Sequence, residues 1–371
     1  LNIVWGLLGA VAILAIAFLL SEKKSKINLR TVIVGLCLQM AFGFIVLKWD
    51  AGRAVFLWFS SRVQLLIDYA NEGISFIFGP LLKVGSSPAF ALSVLPIFRV
   101  IGGGLSKLLG TSRTESLAAA ANIFVGQSES PLAIKPLIAG LTRSELFTIM
   151  TSGLSAVAGS TLFGYALLGI PIEYLLAASF MAAPAGLVFG KILIPETEKT
   201  QTIKGDFNMD EEGEGAANVI DAAAKGASTG LQIALNVGAM LLAFVALIAV
   251  VNGILGGIGG WFGFKHAFVI GVPWHEALGA GSYIGQKLVL NEFVAYSNFG
   301  PHIADFSKKT STIISFALCG FANFSSIAIM LGTLGGLAPS RRSDIARLGL
   351  RAVIAGTLAN LLSAAIAGMF I

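Results

Sequence analysis

The sequence predicts an all-α polytopic membrane protein, and three observations predict it. Of the 371 residues, 56% are apolar and 12% charged, whereas soluble domains carry about 25% charged residues. The mean hydropathy is +0.83. Apolar runs long enough to cross a bilayer recur along the chain, a crossing needing about 20 residues. Two acidic residues, Glu129 and Glu292, interrupt mostly apolar stretches. A carboxylate at bilayer depth costs at least about 2.5 kcal/mol and persists only facing a cavity or a partner.

Apolar runs at 2–20, 31–48, 84–106, 145–169, 172–194, 229–254, 310–335 and 346–370 give about eight transmembrane helices. Leu1 to Leu20 is apolar apart from Asn2, with no basic leading region and no small-residue cleavage site, so it reads as a span. Over 53–72, Phe56, Phe59, Val63, Leu66 and Ala70 recur at helical spacing. Arg53, Ser60, Gln64, Asp68 and Glu72 take the other face, which predicts an interfacial helix. Segments 114–138 and 275–300 hold too many polar residues to span simply. They read as re-entrant hairpins that enter, turn at depth and leave by the same side. The polar stretch 195–228, from Pro195-Glu196-Thr197-Glu198-Lys199 through Asp210-Glu211-Glu212-Gly213-Glu214, reads as an exposed cytoplasmic loop.

Several chemistries find no support. His266, His275, His302, Cys37 and Cys319 are scattered and suggest neither a zinc nor a disulfide framework. The glycine runs Gly102–Gly104 and Gly253–Gly260 lack the Gly-Lys-Ser/Thr of a phosphate loop and read as bends and packing sites. The pI near 9.2 comes from basic residues in loops between apolar runs, which speaks of topology and not of nucleic acid. If the first span runs inward, sixteen of the twenty-five Lys and Arg residues face the cytoplasm, among them Lys23, Lys24, Lys26, Arg30, Arg341 and Arg342. The positive-inside rule then puts both termini outside and gives the two hairpins opposite topology.

Each hairpin precedes a helix dense in small and polar residues, and Glu129 to Ser160 and Glu292 to Asn323 are both thirty-one residues apart. Equal spacing with opposite topology predicts an inverted repeat, which places a site at the midplane of a carrier. Ser152, Ser160 and Ser325 fit helix packing as well as binding. Gln127, Glu129, Asn291, Glu292 and Asn323 carry groups that hydrocarbon cannot satisfy. Two carboxylates with amides and hydroxyls suit a neutral ligand rich in hydroxyls and amide edges; an anion would call for Arg or Lys, and the nearest is Lys287. An intramembrane hydrolase could use Glu129 and Glu292 as acid and base, but the sequence offers no activated nucleophile or metal. A passive channel would call for rings of charge lining a pore.

At Gly126-Gln127-Ser128-Glu129-Ser130-Pro131 and Leu290-Asn291-Glu292-Phe293-Val294-Ala295-Tyr296 the chain resembles the concentrative nucleoside transporter family. Ser179 to Pro184 followed by Pro195-Glu196-Thr197-Glu198, Cys319 to Ser326, and Arg341 to Ile345 also match, so the resemblance spans essentially the whole chain. It implies a bacterial inner (plasma) membrane symporter, not an enzyme, taking up nucleosides such as uridine as a homotrimer by an elevator-type movement. It implies that Gln127, Ser128 and Glu129 face the nucleobase, that Glu292, Asn323 and Ser326 hold the ribose, and that Phe321 lines the site. The sodium site of coupled members matches Asn122, Val125 and Val157 here, the last two through carbonyls. A hydroxyl usual in that shell aligns with Ala156, with Ser155 adjacent; sodium is the coupling ion expected, with a proton as the alternative. The implied organisation is 1–110 mainly scaffold, 111–194 a first transport repeat, 195–228 the loop, 229–274 a scaffold or trimerisation helix with connector, and 275–371 a second transport repeat.

Overall fold

The computed structural model describes residues 2–55, 57–58, 61, 95–198, 228 and 272–371, and among them every regular element is helical. Helices α1 (Asn2–Leu19) and α2 (Leu29–Leu47) are joined through a 3-10 turn at Lys24–Lys26. The Asn28 side chain caps α2 by accepting from Arg30 N. Both helices turn bulky apolar side chains outward, including Ile3, Val4, Val11, Leu29 and Ile33, each more than half exposed. In water such a surface would associate; its composition is that of a helix flank that faces lipid.

Helix α3 (Leu95–Leu109) ends at Gly110, whose φ of +71° stops the helix. The first hairpin has α4 (Arg113–Asn122) as one limb and a 3-10 stretch, Ser130–Gly140, as the other. A capping box between Ser112 and Glu115 starts α4, and Pro131 and Pro136 keep the second limb from closing regular α-helical turns. The second hairpin pairs α8 (Trp274–Val289) with α9 (Glu292–Phe299). Asn291, grouped by its chemistry with the binding candidates, is the N-cap of α9 and accepts from Val294 N at 2.9 Å.

The runs 145–169 and 310–335 read as single spans, and the structure corrects both. The first divides into α5 (Arg143–Ser155) and α6 (Gly159–Leu167). The second divides into α10 (Lys308–Leu318) and α11 (Ser325–Leu337). Hydropathy averages over such short interruptions, because Ala156-Val157-Ala158 is as apolar as the helices beside it. The 163 residues that separate Glu129 from Glu292 also separate Ser155 from Leu318, the last residues of α5 and α10. The two halves thus break their helices at matching positions.

After α6 comes α7 (Ile172–Leu193), whose span-length apolar window is wholly buried. It meets α5 closely at two glycines: a Cβ on Gly186 would lie 2.6 Å from Ser152 Cα, and one on Gly190 would lie 2.8 Å from Thr148 Cα. This is the small-residue contact that brings membrane helices together, and it gives Ser152 a packing role. The last helix, α12 (Arg342–Ala367), packs on α5, α7 and α10. Among the described residues α2, α7 and Pro339–Ala367 are long and apolar enough to cross a membrane. The expected span 229–254 lies outside the described residues, as do most of the interfacial stretch 53–72, most of the loop 195–228 and most of the connector 229–274.

Candidate functional site

Each hairpin turn is held against the break of a following helix. In the first half Gly126 takes a φ of +81°, and a Cβ there would come within 2.8 Å of Ala158 Cβ, so the turn can approach the 156–158 break. Gly159 N donates to Phe124 O at 2.8 Å and fastens the two. In the second half Phe324 N donates to Leu288 O at 3.3 Å. The two breaks also meet each other, since Phe321 N donates to Ala156 O at 3.2 Å.

Between them runs a buried chain of hydrogen bonds with members from both halves. Gln127 Nε2 donates to Ser326 Oγ at 3.2 Å. Ser326 N donates to Asn323 Oδ1 at 2.9 Å, and Asn323 Nδ2 donates to Glu292 Oε2 at 2.9 Å. The other carboxylate oxygen of Glu292 accepts from Tyr165 OH at 3.1 Å. Gln127, Glu292, Asn323 and Ser326, predicted from sequence positions nearly 200 apart, therefore form one cluster. Ser128 and Glu129 lie half-buried at the first turn, and Phe321 is partly buried in the second break. Gln127 Oε1 is buried without a hydrogen-bond partner. A buried amide oxygen left so costs about 1–3 kcal/mol, which fits an acceptor awaiting a ligand N–H or O–H donor.

The residues matched to an ion shell lie behind the first turn. Asn122 is fully buried, its Nδ2 faces Ser152 Oγ at 3.5 Å, and its Oδ1 has no hydrogen-bond partner. Val125 and Val157 are buried beside it, where the end of α4 and the 156–158 break release carbonyls from helical bonding. An unpartnered side-chain oxygen with released carbonyls suits a hard cation. Ser155 is engaged elsewhere: its hydroxyl reaches Ser152 O at 3.0 Å and Ala182 O at 3.2 Å, and its carbonyl accepts from Asn360 Nδ2 at 2.6 Å.

Sequence reasoning missed Tyr165, Asn360 and the part Lys287 plays. Tyr165 lies in an apolar run, and its ring centroid is 4.6 Å from that of Tyr296, the two planes tilted by 35°. Only the three-dimensional approach of α6 to the second hairpin reveals its bond to Glu292.

Broken helices whose breaks face each other across a buried polar cluster, with apolar flanks outside, define a secondary transporter. Comparison with known proteins gives the family. The model described as Na+ dependent nucleoside transporter C-terminus matches residues 174–368, the corresponding N-terminus model matches 8–81, and a model described as Nucleoside recognition matches 55–171. The chain is 83% identical to the Bacillus subtilis protein called uncharacterized transporter YutK, with all of both chains covered. It is 42% identical to the Helicobacter pylori nucleoside permease NupC over 99% of this chain and 97% of that one. A structure of CNTnw in an inward-facing substrate-bound state matches with a TM-score of 0.79 at 47% identity, covering 100% of this chain and 98% of the other. The chain belongs to the Na+-dependent concentrative nucleoside transporter family; it is a membrane transporter and not an enzyme.

Proposed function

We propose that this protein is a bacterial inner-membrane symporter that moves nucleosides, uridine among them, inward with sodium. The observation that carries this reading is the buried chain Gln127–Ser326–Asn323–Glu292–Tyr165 with a partnerless oxygen on Gln127. Glu292 would take the ribose hydroxyls, because a carboxylate accepts two hydroxyl donors, with Asn323 and Ser326 alongside. Gln127, Ser128 and Glu129 would meet the base, whose edge alternates donors and acceptors as an amide does, and Phe321 would line the site. Sodium would sit at Asn122 Oδ1 and the carbonyls of Val125 and Val157. Ser155 helps there by shaping the end of α5. Proton coupling is the second reading, favoured by Ala156 standing where a hydroxyl is usual. In either case the hairpins and broken helices would move as a unit past a fixed scaffold in a homotrimer, with both termini outside.

Uptake of labelled uridine into proteoliposomes tests the reading. Unaltered uridine should accumulate above its external concentration under an inward sodium gradient. Equilibration without accumulation would point to a channel, and altered product to an enzyme.

A further inference from the structure

The second half holds a buried charge that the site above does not use. Lys287 is 1% exposed and lies on α8, just before the break of the second hairpin. Its Nζ donates to Ala317 O at 2.8 Å and to Asn360 Oδ1 at 2.7 Å. The Asn360 Nδ2 donates in turn to Ser155 O at 2.6 Å and Cys319 O at 2.9 Å. A Cβ on Gly320 would come within 2.4 Å of Asn360 Oδ1, so this close approach needs glycine at that position. Lys287 thus stands on the carbonyl end of α10 and, through Asn360, against the carbonyl end of α5. Both ends carry partial negative charge, which an ammonium offsets.

The 163-residue offset between the halves gives this position a meaning. On that offset Leu288 corresponds to Val125, and Ala317 and Leu318 correspond to Leu154 and Ser155. Lys287 therefore occupies, in the second half, the setting that the Asn122 and Val125 oxygens occupy in the first: a hairpin turn facing the carbonyl end of a broken helix. We propose that the Lys287 ammonium is a tethered cation of the second repeat, standing where the first repeat takes a mobile sodium, and that it positions the ribose-binding residues. The positioning runs through Asn360 and Cys319 O, which fix the start of the segment presenting Asn323 to Glu292. Lys287 hydrogen-bonds only neutral oxygens among the described residues, with the Glu292 carboxylate within electrostatic reach, and a buried ammonium so placed is otherwise an expensive choice for packing alone. This inference rests on the nucleoside and sodium reading above.

Two variants of the full chain test it, with uridine affinity measured in detergent at fixed sodium. Lys287→Met keeps the volume and removes the charge; it should fold and bind uridine at least about ten-fold more weakly. Lys287→Ala should bind as weakly and recover when propylammonium chloride restores the missing amine, but not with 1-propanol, its neutral analogue. Wild-type affinity in folded Lys287→Met overturns the proposal. So does failure of propylammonium to restore Lys287→Ala, or equal recovery with 1-propanol, which would make the effect one of packing. If neither variant gives a cooperative melting transition, the charge serves folding and not binding, and the proposal falls. Wild-type affinity equal in sodium and choline would remove the sodium reading instead, while the amine rescue, read at constant salt, still decides the part of Lys287.

Discussion

Glu292 accepts from two side chains, Tyr165 OH and Asn323 Nδ2, which hold its carboxylate where two donors can approach. On the proposed ribose role, Glu292→Gln would remove charge-assisted bonds to sugar hydroxyls and should weaken uridine by about 1.5–3 kcal/mol, while free uracil changes little. Equal losses for uridine and uracil would remove the ribose role. Tyr165→Phe deletes one neutral partner of that carboxylate and should cost uridine binding about 0.5–1.5 kcal/mol, read by calorimetry. Gln127 sits at the other end of the same chain, so Gln127→Ala should change the ranking among nucleosides more than the dependence on the sugar. The cluster itself was partly legible in the sequence. Gln127, Glu292 and Asn323 carry polar groups that apolar surroundings cannot satisfy, so they stand out. Tyr165 and Asn360 do not, because an aromatic or a lone amide in an apolar helix shows its duty only once a distant carboxylate or carbonyl is seen beside it.

Segments 114–138 and 275–300 stood apart in the sequence because polar residues shorten their apolar runs, and the structure gives each two short helical limbs joined by a turn. The breaks at 156–158 and 319–324 did not stand apart, since residues such as Ala156, Val157 and Phe321 are apolar and only their backbone departs from the helix. Gly126 makes the first turn possible, with its φ of +81° and its contact with Ala158. Gly126→Ala should lower the melting temperature and weaken sodium-dependent binding together, because it displaces the turn that presents both Asn122 and Gln127. At the start of the same hairpin, Lys191 Nζ pairs with Glu115 at 2.8 Å and with Glu196 at 3.2 Å. Partial burial works against ionising Glu196. The Lys191 ammonium and bonds from Glu198 N and Thr142 prevail and hold its pKa below the usual carboxylate value. A lowered carboxyl pKa contributes stability that is complete at neutral pH and is lost as pH falls through that pKa. Melting temperature should therefore fall on acidification, and the acid-sensitive part should shrink in Glu196→Gln.

At the scale of the whole molecule, the packing bears on which helices move. The sequence placed 1–110 mainly with a fixed scaffold. Yet α2 lies along α7, where a Cβ on Gly35 would press 2.2 Å from Val188 Cγ2, and α1 lies along α12. Glu22, between α1 and α2, accepts from Nη1 and Nη2 of Arg143, at 2.5 and 2.8 Å, and from Arg351. On the proposed elevator movement, these contacts favour α1 and α2 travelling with the hairpins and not with the scaffold. A Gly35→Cys and Val188→Cys pair, in a chain with Cys37 replaced by Ser, should cross-link without loss of uptake; loss on oxidation, restored by reduction, would return α2 to the scaffold. The central claim is that a nucleoside in the Glu292 cluster and sodium at Asn122 stabilise one arrangement of the two halves. Linkage then requires each to tighten the other by the same factor. Calorimetry of uridine binding in sodium and in choline, at two pH values, measures this most directly. Uridine should bind more tightly in sodium at both pH values; affinity unchanged by sodium and altered by pH would move the coupling to a carboxylate.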